Sequence, residues 1–199
     1  TAWPRIEPAQ KRDYKSVIDR LEAGDPMEQT HARHILKLGQ AHYNRENLML
    51  AFRSAVNAND EDRKTILRPL KYHKTTVDND AYDILAQYSV HPDADIRECA
   101  IIQIGGLTKY DDKRLSILTK AVDDEKPEIA VSAMYHLSTF RDKAKSAIPR
   151  LENNLKSGDE NVLRATVNAM ERIDATHRLP EKIIDKLLDK EHPELKKAG

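Results

Sequence analysis

Two apolar ridges return together every 33 residues, and a chain spaced this way stacks copies of one unit instead of closing around one centre. Ile96, Ala100 and Ile104 recur as Ile129, Ala133 and Leu137, then as Val162, Thr166 and Met170 (96 to 129 to 162). Upstream, Tyr82, Leu85 and Ser89 become Leu115, Leu118 and Val122, then Ile148, Leu151 and Leu155. Steps of three and four residues mark one face of a helix, so each period holds two helices. The expected fold is all-α: a right-handed α-α superhelix of about five helical hairpins, closed by a C-terminal capping helix.

Composition agrees with long helices whose outer faces meet water. Charged residues make up 33% of the chain, and only 6 of its 199 residues are glycine. Lys+Arg and Asp+Glu both number 33, so the formal charge is zero and nucleic acid, held mainly through its phosphates, is not an expected partner. No apolar run reaches the roughly 18 residues of a membrane span. The opening Thr1-Ala2-Trp3-Pro4 lacks the basic and apolar segments of an export signal, and a soluble protein of the cytoplasm or periplasm is expected. One cysteine, Cys99, excludes an internal disulfide and a multi-cysteine zinc site; it lies on an inward stripe as a small core residue.

Along the chain, 1–7 reads as an extended arm because Pro4 and Pro8 disfavour helix before them. Hairpins are expected at 8–43, 44–75, 77–109, 111–141 and 143–175, in one domain from 8 to 190, with a cap at 179–190 and a tail at 191–199. Ala23-Gly24-Asp25-Pro26 stops one helix and starts the next. Leu38-Gly39 stands where Ile104-Gly105 stands two periods later. The second hairpin breaks the register, since Lys71 falls at the core place of Ile104; a shorter or shifted unit is expected there. His91-Pro92-Asp93, Asp123-Asp124-Glu125 and Ser157-Gly158-Asp159 each precede a second helix, where aspartate caps free amides and complements the helix dipole. Pro149 is expected to kink a first helix at 144–156.

The run His91-Pro92-Asp93-Ala94-Asp95-Ile96-Arg97-Glu98-Cys99-Ala100, with Ile104-Gly105 after it, resembles a HEAT repeat. Pro149 within Ala147-Ile148-Pro149-Arg150-Leu151 is similar to the first-helix proline of that family. Ala130 and Leu163 replace its arginine, so the family's arginine–aspartate ladder is expected in at most one unit. The resemblance implies a HEAT-like solenoid that binds proteins or peptides on the surface lined by its second helices. It also implies an alternative, since bilin lyases and some DNA glycosylases are built from such repeats, as are accessory domains of larger enzymes.

Phosphate-binding glycine loops, nucleophile signatures and Cys-x-x-Cys pairs are absent, and no catalytic residue or cofactor is expected. Glu28, His31, His34 and His42 come nearest to a metal set, but two histidines three apart depart from the i, i+4 zinc pattern; no metal is expected. Arg63, Lys64, Arg68 and Lys71 form a basic patch, with Lys64, Arg68 and Lys71 on one helical face that suits an acidic protein or a phosphate. On the second helices, Glu98, Ile102, Val131, Tyr135, Arg164 and Asn168 are offset from both core stripes and are expected to line a partner-binding groove. Tyr135 is its expected anchor, with Glu98 and Arg164 setting preference by charge.

Overall fold

A computed structural model of the chain describes residues 14–23, 25–38, 45–72, 81–109, 111–181 and 183. The expected arm at 1–7, the tail at 191–199 and most of the cap at 179–190 lie outside these residues. Regular structure among them is helical throughout, without a strand. The backbone forms two compact units, Thr1–Lys109 and Tyr110–Gly199.

In the first unit, α1 (Tyr14–Glu22) pairs with α2 (Pro26–Leu38), α3 (Arg45–Asn57) with α4 (Asp60–Tyr72), and α5 (Tyr82–Tyr88) with α6 (Ala94–Gly106). The second helices α2, α4 and α6 pack side by side in that order. Ile18, Leu48, Phe52, Leu67, Leu85 and Ile101 are fully buried between the layers. Each contributes about 1.5–3 kcal/mol of transfer free energy, which is how thin two-layer units hold together. In the second unit, α7 (Asp111–Ala121) pairs with α8 (Pro127–Ser138), and α9 (Ile148–Asn154) with α10 (Glu160–Ile173); α8 packs on α10. All nine repeating residues from Ile96 to Met170 are buried. Met134 and Val167 are buried too, and the hydroxyl of Thr166 on α10 meets Met134 Sδ of α8 at 3.4 Å. The fold is an α-solenoid.

The caps give the true period. The carboxylate of Asp25 accepts Met27 N and Glu28 N, Asn59 accepts Asp62 N, Asp93 accepts Ile96 N, and Asp159 accepts Val162 N. These caps stand 34 residues apart in the first unit (25 to 59, 59 to 93) and 33 from there on (93 to 126, 126 to 159). One extra residue per hairpin, rather than a shortened one, is what breaks the register. Leu70, not Lys71, holds the place of Ile104 and is fully buried, and Leu36 replaces Leu38 at that place in α2.

At residue 126 the cap position is a lysine. Lys126 has the extended backbone of a cap (φ −94°, ψ 116°) but no side-chain bond into α8, and Asp124, two residues early, accepts Lys126 N instead. Ile129 N turns to the Lys126 carbonyl at 3.0 Å. Lys126→Asp is expected to raise stability by about 0.5–1 kcal/mol, measured by denaturant melting, because it adds a capping acceptor and removes a cation from the positive helix end.

Pro149 does not kink a helix. Residues Arg141–Ala147 form a 3-10 helix, and Pro149 sits in the first turn of α9, where its missing N–H has no partner to lose. A proline does stand inside a helix at Pro69 of α4, a position the sequence pattern passed over.

Candidate partner-binding face

Counting from each cap places the outward residues of the second helices. The fifth and ninth positions after the cap are Thr30 and His34 on α2, Lys64 and Arg68 on α4, and Glu98 and Ile102 on α6. In the second unit they are Val131 and Tyr135 on α8, and Arg164 and Asn168 on α10. The six groove residues from the sequence therefore all occupy these two positions, four in the second unit and two in the first. Lys64 and Arg68 occupy them as well. Sequence reasoning separated them from the groove because a constant step of 33 shifts α4 by one residue; the spacing from Asn59 to Asp93 was the missed signal.

On the second unit, Tyr135 is 62% exposed, against complete burial of its neighbours Met134 and Leu137. Val131, one turn earlier, is half-buried, and Asn168 is exposed. Arg164 lies 3.5 Å from Glu160 on its own helix, an exposed pair worth little. The Tyr135 ring stands edge-on to His136, with centroids 5.2 Å apart and planes at 78°. Burial, and then the nearby Arg114 charge, hold His136 below the ordinary histidine range, so it is a neutral imidazole at pH 7. Arg114 itself is buried, stacks over Phe140 at 4.9 Å and bonds Asp111 at 3.1 Å.

In the first unit the basic patch divides. Arg63 turns into the α3–α4 connection, donating to the carbonyls of Ala55 (3.1 Å) and Ala58 (3.0 Å) and reaching Asp93 at 3.0 Å. Arg97 does the same one hairpin later, with the carbonyls of His91 and Pro92 at 3.0 and 2.9 Å. Ala130 and Leu163 hold the matching positions in the second unit and are buried. Lys71 reaches α6, where its Nζ donates to Asp95 Oδ1 at 2.9 Å and to Glu98 Oε2 at 2.6 Å. Burial opposes its charge, but the bonds to Glu98 and Asp95 outweigh that and hold the ammonium above the ordinary lysine range. Glu98, expected to read a partner's charge, thus already holds a counter-ion. Only Lys64 and Arg68 of the patch remain exposed.

The described residues contain no group of three or more histidine, cysteine or acidic side chains able to hold a metal. His34 is exposed and His31 half-buried, while His42 lies outside the described residues. Cys99 is fully buried, and burial pushes its thiol far above the ordinary range. No described helix is long and apolar enough to cross a membrane.

No protein-family model and no curated protein matches the sequence. Solved structures do. A designed armadillo repeat protein in complex with the peptide (KR)4 is similar with a TM-score of 0.55 at 17% identity, over 89% of this chain and 87% of that one. An engineered protein gives 0.53 at 16%, over 89% and 84%. The complex of CpcE and CpcF of phycocyanin lyase from Nostoc sp. gives 0.52 at 18%, over 79% of this chain and 97% of that one. At such identities the likeness is one of fold, a helical repeat solenoid.

Proposed function

We propose that this chain is a non-catalytic scaffold of HEAT-like repeats that binds a protein or peptide on the outward rows of its second helices. The observation that carries the proposal is Tyr135, a large aromatic left 62% exposed between buried neighbours, with Val131 beside it on the same row. Large rigid aromatics at the centre of a contact supply much of the binding energy of protein interfaces at low entropic cost. A repeat stack presents such rows on rigid helices, so little ordering is needed when a partner docks. The ion pair of Arg63 with Asp93, and the matching place of Arg97 one hairpin later, support the HEAT-like assignment of the repeats.

A random-peptide library displayed on phage and selected against the immobilised chain is expected to yield binders. Tyr135→Ala should weaken those that dock on the second unit by about 2 kcal/mol, roughly thirtyfold. Its melting temperature should stay within a degree or two, because the ring contributes little buried area. A variant that melts many degrees lower yet binds unchanged would place Tyr135 in the packing instead. A library that yields nothing would remove the scaffold reading.

A further inference from the structure

Of the four cations on α4, two are held inside the protein and two are not. Arg63 is bound by two carbonyls and by Asp60 and Asp93, and Lys71 by Asp95 and Glu98. Lys64 and Arg68 are exposed, and among the described residues neither side chain has a hydrogen bond or an ion pair. They stand one helical turn apart, an arrangement in which like charges repel and destabilise the helix. Other cations of the unit are paired across helices, as in Arg33 with Asp62 and Arg45 with Asp83, and Arg53 on α3 is exposed like Lys64 and Arg68. Resting on the reading of these rows as a partner-binding face, we infer that the first unit takes an acidic peptide segment of a protein partner, its carboxylates over Arg68 and Lys64 and an aliphatic residue over Ile102.

Charge selects the first part of this occupant. A guanidinium fork fits a carboxylate at two points, and Lys64 supplies a second cation within one turn. The neighbouring helix selects the second part. Ile102 holds on α6 the place Arg68 holds on α4, and it is half-buried. One and two turns before it, Glu98 and Asp95 share the single ammonium of Lys71, which leaves that spot net negative. An acid placed over α6 is therefore repelled, and the order becomes acid over α4, aliphatic over α6. On the other flank, at the same position of α2, stands the exposed imidazole of His34. Packed helices lie about 8–10 Å apart, and an extended chain advances about 3.3 Å per residue. The acidic and aliphatic residues of the segment are thus three positions apart.

The test uses the full chain and fluorescent Gly/Ser peptides that carry two adjacent glutamates and, three positions on, a leucine, in both chain directions. One direction is expected to bind, and glutamine for glutamate or serine for leucine should each weaken it several-fold. Combined Lys64→Glu and Arg68→Glu should weaken it by about tenfold or more, while creating affinity for the same peptide with lysines. Circular dichroism checks that this variant keeps its helices, and Arg68→Gln provides a milder one. Undiminished binding by the charge-reversed variant would overturn the assignment. So would failure of both peptide directions while Tyr135-dependent library peptides still bind, an outcome that spares the scaffold reading and removes only this occupant. A DNA duplex that displaces the peptide, with the steep salt dependence of phosphate neutralisation, would overturn it in favour of nucleic acid.

Discussion

Phe52→Ala is expected to cost the first unit about 3–5 kcal/mol and to lower its melting temperature by more than about 10 °C. Phe52 is fully buried on α3 and stacks on Tyr88 of α5, with ring centroids 4.5 Å apart and planes within 12°. The substitution removes the transfer free energy of the ring, leaves a cavity that rigid helices close only in part, and deprives Tyr88 of its stacking partner. Val56, one turn along the same helix, is 38% exposed, and Val56→Ala should cost no more than about 1 kcal/mol. Chemical denaturation of both variants gives the comparison. Equal losses would mean that α3 does not bury the face described above.

Asp62→Ala should cost about 3 kcal/mol, whereas Asp62→Leu combined with Arg33→Met should return to within about 1 kcal/mol of the parent. Asp62, like Glu28 one hairpin earlier, is an acid at the position where later repeats carry Ile96, Ile129 and Val162, and Asp62 is buried. Arg33 from α2 meets it at two points, Nε to Oδ1 at 2.6 Å and Nη2 to Oδ2 at 3.1 Å, and Asn59 donates to the same carboxylate at 2.9 Å. Removing the acid alone strands a half-buried guanidinium. Removing both charges restores the apolar contact the other repeats use. The low end of the cost range applies because the Arg33 side chain keeps 22% of its exposure. Stability against pH gives an independent check. The hydrogen bond from Arg33, opposed by burial and helped by Asn59, holds the Asp62 carboxyl below the ordinary carboxylate range. Its contribution is complete above the unfolded value of about 4 and is lost as pH falls through that value towards the lower folded one. Asp62→Asn should flatten the acid limb of the stability curve; an unchanged limb would mean that the carboxylate is not held by Arg33.

The repeat was legible because its core positions are apolar and recur at a fixed step, which makes Ile96, Ile129 and Val162 visible without any structure. Register in the first unit was not, because acids stand at two of its core-stripe positions, Glu28 and Asp62, and its hairpins run one residue longer. Asp62 reads as surface until Arg33 is placed beside it, and Lys71 fails as a core residue until Leu70 is recognised as the true equivalent. A long side chain paired across helices leaves no periodic trace, and this is why Arg63 passed for part of a basic patch while it was closing a turn. Tyr135 was legible as a candidate from its offset alone, and its exposure is what the coordinates add. The turn before α8 misled for a different reason: Asp123 and Asp124 precede the cap position, and Asp123 pairs with Arg150 across to α9.

The bond between Arg63 and Asp93 bears on how these hairpins can be recombined. Arg63 belongs to the middle hairpin of the first unit and Asp93 to the one after it, so the pair works as tooth and socket across a seam. The middle hairpin transplanted into another array carries an unmated tooth unless the next module offers an acid at the cap. Modules from the second unit, with Ala130 and Leu163 at that place, have no tooth to seat. Exchange between the two kinds is therefore directional: a chimera that places Asp93 after Ala130 forfeits a link that Arg63 followed by the Asp159 module keeps, and Arg63 followed by the Lys126 module does not.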